Sequence, residues 1–415
     1  MEKRRVAITG LGILCPLGSS LEEVFQTVKE QTCRIAPITH FDTADFRVKL
    51  AGEVKDLDEE TYFSAKELRF NDRFTKFARI AAKQALRDAG LELESEDLSR
   101  AGVIFASGIG GIATIEECEQ MLEKRGPGRV SPYFIPKALI NLAAGSIALD
   151  YGLHGHCSST VTACAASTDA IGEAFRRIQY GEEDIMLAGG SEASITPLAI
   201  AGFQSMRALH TGSDPHRASI PFDVKRSGFV MGEGAGALVL EEWEHAQKRG
   251  AKIYGEIVGY GSSCDAHHVT SPEPEGRWAA LAMEKALQDA NLEPERIGYI
   301  CAHGTSTKLN DQTESRAIGQ VFGKHPVAVS SLKGAMGHLL GASGAVESII
   351  TIKALQEGLL LPTIGLQEQD PACQVQVVRQ LRPAADLEYA LKNSLGFGGH
   401  NACLVFRAVK EETCA

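Results

Sequence analysis

Ala85-Leu86-Arg87-Asp88-Ala89-Gly90-Leu91-Glu92 returns in the second half of the chain as Ala286-Leu287-Gln288-Asp289-Ala290-Asn291-Leu292-Glu293. A matching strand follows each copy. Arg100-Ala101-Gly102-Val103-Ile104-Phe105-Ala106-Ser107-Gly108 parallels Arg296-Ile297-Gly298-Tyr299-Ile300-Cys301-Ala302-His303-Gly304. Two consecutive matches in the same order mark an internal duplication. A fainter third match lays 164–181 over 341–358, each an apolar helical run ending in glycine, Gly181 or Gly358. The first repeat reads as a helix over 74–89, with Phe74, Phe77, Ile80, Ala81 and Ala85 at helical spacing and Gly90 as its stop. Val103–Ala106 and Ile185–Ala188 are short continuous apolar runs, as parallel strands covered on both faces require. Alternating βα units predict an α/β architecture. Two such halves related by a pseudo-twofold predict a five-layered αβαβα sandwich. The halves divide near Gly250, giving units 1–252 and 253–415.

The duplication bears on function because a site can form where the halves meet. At equivalent strand ends the first half has Ser107 and the second His303. That divergence is expected if the second half supplies a base or a hydrogen-bond donor. Alone it reads equally well as a surface polar residue.

The 415 residues are 44% apolar and 23% charged, with a net charge of −11, an ordinary globular composition. The acidic balance argues against a nucleic-acid partner. No apolar stretch is long enough to span a bilayer. Met1-Glu2-Lys3-Arg4-Arg5 precedes Val6-Ala7-Ile8, but Thr9, Gly10 and Gly12 interrupt the apolar run, so a first buried strand is expected rather than a signal peptide. Ten cysteines, among them Cys414, include no C-x-x-C pair and none at zinc spacing with histidine, so neither a metal nor disulfides are expected. A reducing compartment follows.

Four segments carry chemistry. Val161-Thr162-Ala163-Cys164-Ala165-Ala166-Ser167 surrounds a cysteine with small residues and runs into a helix. A thiol at a helix N-terminus is expected to have its pKa drawn toward neutrality and to act as a nucleophile. Ala302-His303-Gly304-Thr305-Ser306-Thr307 leaves a strand, at the end where open α/β sheets bind ligands. Lys333-Gly334-Ala335-Met336-Gly337-His338 precedes the small-residue run Gly341–Ala345, with Glu347 on the next helix, able to pair with Lys333. Asn393-Ser394-Leu395-Gly396-Phe397-Gly398-Gly399-His400-Asn401 has the composition of a tight, movable loop whose N–H groups can face a ligand. Gly10-Leu11-Gly12 and Gly232-Glu233-Gly234-Ala235-Gly236 both lack dinucleotide spacing, which removes a nucleotide-binding oxidoreductase from consideration.

In these four segments, which occur in family order, the chain strongly resembles the β-ketoacyl-acyl-carrier-protein synthases, condensing enzymes of the thiolase fold. The resemblance covers essentially the whole chain and implies fatty-acid elongation by decarboxylative Claisen condensation in the cytoplasm, by a homodimer paired edge to edge near the Cys164 segment. Cys164 would be acylated from acyl-carrier protein. His303 and His338 would bind the malonyl thioester carbonyl, with Lys333 and Glu347 organising them. Backbone N–H groups of Cys164 and Phe397 would form the oxyanion hole. Thr305 and Thr307 would hold the pantetheine arm, and Ile109, Phe203, Phe229 and Phe397 would shape the acyl tunnel. No cofactor is implied beyond the phosphopantetheine that arrives on the carrier. Lys66 and Arg69, on the charged segment Ser64–Arg73, and Arg207 are candidates for docking the acidic carrier protein. His400 stands where relatives often have threonine, and Leu395 where phenylalanine is common. A polyketide ketosynthase uses the same residues on other acyl chains. A non-catalytic chain-length partner has the same fold but lacks the nucleophile present here.

Overall fold

Gly10 and Gly12 lie inside the first strand, β1 (Val6–Leu14), which runs through both glycines without turning. Each faces the first helix of the repeat, α1 (Arg73–Ala89), so closely that a Cβ would stand 2.2 Å from the Ala85 carbonyl or 1.9 Å from that of Ala81. The same contact occurs in the second half. Gly259 and Gly261 face the carbonyls of Ala286 and Ala282, a Cβ falling 2.2 Å from each. Glycine here permits close helix–sheet approach, and the duplicated spacing shows one packing used twice.

The computed structural model describes residues 3–409; Met1, Glu2 and 410–415, including Cys414, lie outside it. In the main sheet the first-half strands after β1 are β2 (Ala101–Ala106), β3 (Cys157–Ser158), β4 (Ile185–Glu192) and β5 (Gly234–Glu242). The second half has β6 (Gly255–Cys264), β7 (Ile297–Cys301), β8 (Ala328–Ser330), β9 (Gln376–Val377), β10 (Tyr389–Gly396) and β11 (His400–Ala408). The first half is ordered β1-β5-β4-β2-β3, the second β6-β11-β10-β7-β8 with β9 added at the edge. The strand directions repeat as well: in each half the first two pairings are antiparallel and the next two parallel. A short antiparallel pairing of Val6–Ile8 with Gly255–Ile257 joins the two sheets along their inner edges.

Helices α2 (Ala166–Gln179), α3 (Arg277–Ala290), α4 (Lys308–Phe322) and α5 (Ser343–Glu357) complete the frame. α1 covers the outer face of the first sheet and α3 that of the second, while α2 and α5 lie against each other between the sheets. The result is the five-layered αβαβα sandwich expected from the duplication. α2 and α5 are buried on nearly every side, which explains why their N-terminal segments use small residues. A Cβ on Gly344 would lie 2.1 Å from Thr168 Oγ1, and the Ala345 N–H donates to Ser167 Oγ at 2.9 Å. The two helix N-termini, and hence the loops leading into them, meet at the centre of the molecule.

Candidate active site

The faint match of 164–181 with 341–358 proves to be the structural heart of the site. Ala163–Ala165 and Leu340–Ala342 both form single 3₁₀ turns leading into α2 and α5. Both turns hold a non-glycine residue in the left-handed region, Ala163 at φ 50° and Leu340 at φ 47°. Such a conformation costs on the order of 1 kcal/mol or more, and it persists where surrounding structure enforces it. Cys164 and Gly341 thus occupy equivalent places, so the duplication kept a thiol in one turn only.

Cys164 lines a cavity of ≈ 650 Å³. Burial pushes its thiol up to about 12, against the opposing pull of Lys333 and of the backbone N–H groups of Phe397 and Cys164 itself. The expectation that a helix N-terminus draws this pKa toward neutrality is therefore corrected. Cys164 lies in the turn before α2, and the loss of hydration in an apolar wall outweighs the dipole. The resting group is a thiol, with N–H donors already facing the sulfur where negative charge would develop.

His303 leaves β7 and His338 leaves the short helix Lys333–Met336, and both are 2% exposed. Their rings are 5.2 Å apart and nearly perpendicular. The Cys164 sulfur and one ring nitrogen from each histidine lie within 4.8 Å of one another. The structure therefore brings together the three side chains that the sequence could only name separately. His338 Nδ1 meets Ser343 Oγ at 2.9 Å, leaving Nε2 without a protein partner. A Ser343 hydroxyl donating to Nδ1 puts the ring proton on Nε2. His303 Nδ1 is likewise buried and unpartnered. The His303 and Gly304 N–H groups donate to the two oxygens of Glu314, at 2.7 and 2.8 Å, which fixes the loop.

Burial, and then the charges of Lys333 and Lys392, hold both imidazoles well below the ordinary histidine range; His338 adds to the effect on His303. Lys333 Nζ meets Glu347 at 2.6 Å and Lys392 Nζ meets the same carboxylate at 3.0 Å, all three fully buried. Burial opposes charge on Lys392, but Glu347 and then Cys301 outweigh it and raise its pKa. Two ammonium groups on one carboxylate leave net positive charge behind the histidines. A Cys-His-His set at this spacing has suitable donors for a soft divalent cation, but that charge favours an anion instead. Lys333 and Glu347 donate no hydrogen bond to either ring, so they act through their field and through the backbone, where Gly337 N–H donates to the Lys333 carbonyl at 2.9 Å.

Ile109, Phe203, Phe229, Phe397, Thr305 and Thr307 all line the cavity. Phe203 packs edge-on against Phe229 at 5.5 Å and lies 6.4 Å from Phe397; Phe229 packs against His338 at 5.4 Å. Gly396 brings the last loop against the nucleophile turn, where a Cβ would stand 2.6 Å from the Thr162 carbonyl. Thr305 and Thr307 share a hydroxyl contact at 3.1 Å, and Thr307 also caps α4 by accepting from the Asn310 N–H. Arg207 lines the cavity and is exposed. Lys66 and Arg69 are exposed on the helix Ala65–Phe70 and are not part of the cavity wall. Sequence reading missed Ser343, Glu314 and Lys392. Lys392 had a signal, being the one charge in the otherwise apolar start of β10. Glu314 had none, since one acid on a polar helix is unremarked until a backbone turn is seen against it.

The site combines a half-buried thiol, two neutral imidazoles and converging N–H donors on an apolar cavity, the equipment for thioester exchange and enolate stabilisation. Residues 3–246 match the N-terminal domain of β-ketoacyl synthases and residues 254–367 their C-terminal domain. The chain is 48% identical over 410 residues to the 3-oxoacyl-[acyl-carrier-protein] synthase 2 of a Synechocystis strain, covering 98% of this chain and 99% of that one. A β-ketoacyl synthase structure from Burkholderia phymatum superposes with a TM-score of 0.92 at 37% identity, covering 98% of this chain and 100% of that one. A type II polyketide ketosynthase solved with its acyl-carrier protein superposes with a TM-score of 0.91 at 35% identity, with the same coverage. The chain belongs to the β-ketoacyl synthase family.

Proposed function

We propose that the protein is a 3-oxoacyl-acyl-carrier-protein synthase that extends an acyl chain by two carbons in fatty-acid biosynthesis. The observation that carries this reading is the Cys164 sulfur within 4.8 Å of one ring nitrogen from each of two neutral imidazoles, themselves within 4.8 Å of each other. In the first half-reaction Cys164 attacks an acyl thioester, and the carrier thiol leaves with the proton. The N–H groups of Cys164 and Phe397 hold the tetrahedral oxyanion, a contribution of roughly 3–4 kcal/mol per donor. In the second, His303 and His338 donate to the malonyl thioester carbonyl, and the C–C bond to the carboxylate breaks, releasing carbon dioxide. The enolate carbon attacks the acyl-Cys164 carbonyl, Cys164 departs as a thiolate that takes a proton from solvent to restore the thiol, and a 3-oxoacyl thioester remains. Lys333, Lys392 and Glu347 supply the positive field for these anions. Atoms and electrons balance without a redox partner, and the only prosthetic group is the phosphopantetheine carried in by the substrate. Thr305 and Thr307 hold that arm, and Ile109, Phe203 and Phe229 receive the acyl chain.

Malonyl-dependent condensation on acyl-carrier proteins of graded chain length tests the reading. One two-carbon extension per acyl group is expected; absence of any condensation product overturns it. The 35% identity to a polyketide ketosynthase supports the second reading, iterative extension without reduction. A poly-β-ketone product from the same assay would select it. A non-catalytic chain-length partner is disfavoured by the intact Cys-His-His set.

No helix among the described residues is long and apolar enough to cross a membrane. The nine described cysteines are free thiols, which supports the cytoplasmic assignment. A homodimer is part of the proposal. β3 ends the first sheet with one side unpaired, and Tyr133, Ile135 and Leu139 are 43%, 59% and 46% exposed. Pairing two copies of that edge would cover it. Sedimentation at micromolar concentration is expected to show a dimer, and a purely monomeric species would contradict it.

An acyl-carrier protein is the proposed partner, and an acidic carrier must dock on an enzyme of net charge −11. A Debye length of about 8 Å at physiological salt screens distant charge, so a local basic patch can govern encounter. Arg207 at the cavity wall, with Lys66 and Arg69, is the candidate patch. Reversing all three charges is expected to raise KM for carrier-bound substrate while leaving turnover of a small pantetheine thioester unchanged. Equal losses on both substrates would end the docking assignment.

A further inference from the structure

We infer that Asp169 is a positioning residue that couples the nucleophile turn to the glycine loop across the two halves of the molecule; this rests on the function proposed above. Asp169 lies in the first turn of α2 and is 6% exposed. Three segments converge on its carboxylate. The Thr162 hydroxyl, two residues before Cys164, donates to Oδ2 at 2.5 Å. The Tyr260 hydroxyl, from β6 of the other half, donates to Oδ1 at 2.7 Å. Burial raises the Asp169 pKa, and the Thr162 and Tyr260 donors oppose it, with a smaller contribution from His400, which closes the glycine loop. Glu173, one turn further along α2, is a like charge within its reach.

Each of these groups is itself held in place. The Tyr260 ring occupies the space left by Gly172, where a Cβ would stand 2.3 Å from it, so the phenol cannot shift without opening the helix–sheet contact. The His400 imidazole lies over Gly398, 3.0 Å from where a Cβ would be. Thr162 is fixed on its other side by Gly396, which lies against its carbonyl, and the Ala165 N–H donates to that carbonyl at 3.0 Å. The strained Ala163 sits between Thr162 and Cys164. A carboxylate gripping the Thr162 side chain therefore keeps the strained turn from relaxing and holds Cys164 against the Phe397 N–H. Nothing in this network touches His303 or His338. Its chemistry is confined to the thiol half of the reaction, and its reach to the glycine loop runs through Thr162, whose carbonyl lies against Gly396.

The test separates the two half-reactions. Acylation of Cys164 is followed by intact mass under single-turnover conditions, and decarboxylation of a malonyl thioester is followed separately. Asp169→Asn, which keeps the shape but loses the charge-assisted acceptors, is expected to slow acylation about tenfold and to change decarboxylation by less than about twofold. Thr162→Val is expected to do the same. Because Asp169 acts through Thr162, the double variant is expected to be no slower than about tenfold, a non-additive cycle. Tyr260→Phe, which removes one of the two donors and leaves the nucleophile turn untouched, is expected to slow acylation about threefold and serves if either other variant fails to fold. Equal losses in both half-reactions, additive losses in the double variant, or wild-type acylation in Asp169→Asn or Tyr260→Phe would overturn the inference. A wild-type protein that neither acylates nor decarboxylates would instead overturn the proposed function.

Discussion

Cys164→Ser is expected to take up no acyl group from an acyl thioester, a loss of more than about 10³-fold comparable to removing the nucleophile from other covalent enzymes. The resting Cys164 thiol is already pushed up to about 12 by burial. It reacts because a thiol's proton can be lost as the thioester arrives, with the N–H groups of Phe397 and Cys164 and the charge of Lys333 stabilising the anion. A serine hydroxyl in the same wall is a far weaker acid, and the field that suffices for sulfur does not suffice for it. Intact-mass measurement is expected to show one acyl adduct on the wild type and none on the variant. An adduct persisting on Cys164→Ser would remove Cys164 as the nucleophile and throw suspicion on another cysteine.

His303→Ala and His338→Ala are each expected to lose malonyl decarboxylation by about 10²–10³-fold, the cost of deleting one preorganised donor to a developing oxyanion. Cys164→Ala is expected to retain that activity, since the enolate needs donors and no thiolate. Full decarboxylation in either histidine variant would take that residue out of the mechanism. The same variants carry a signature in stability. Both imidazoles are held well below the ordinary range by burial and by Lys333 and Lys392. Below about pH 6.5 the unfolded chain binds a proton at each position that the folded chain refuses. The unfolded state then binds more protons, so stability falls as pH falls, by about 1.4 kcal/mol per pH unit for each histidine until its folded pKa is reached. Denaturant unfolding between pH 6.5 and 5 is expected to show a shallower dependence in each variant by about that amount. An unchanged slope would mean the rings titrate normally. Catalysis at pH 6 is likewise not limited by histidine protonation, because burial, reinforced by the lysines, keeps the rings neutral.

Duplication was legible because helix packing constrains a repeated sequence in a repeated way. The Ala81/Ala85 and Ala282/Ala286 positions must present bare backbone to the glycines of β1 and β6, so those segments retained their likeness. The layered fold followed from alternating βα units. Cys164, His303 and His338 were also visible in the chain, each in a run of small or polar residues at the end of an apolar element. Their meeting was not, because nothing in linear spacing says that two helix N-termini from different halves converge at Ser167, Gly344 and Ala345. The charge state of the site was a tertiary matter too. The helix that follows Cys164 suggested a thiol drawn toward neutrality, whereas the folded wall around it removes water and pushes the thiol up. Local sequence specifies which side chain begins a helix; only the fold specifies what dielectric surrounds it. For the same reason Ser343, Glu314, Lys392 and Asp169 became functional residues only in three dimensions, where partners distant in the chain meet a buried polar group that must be satisfied.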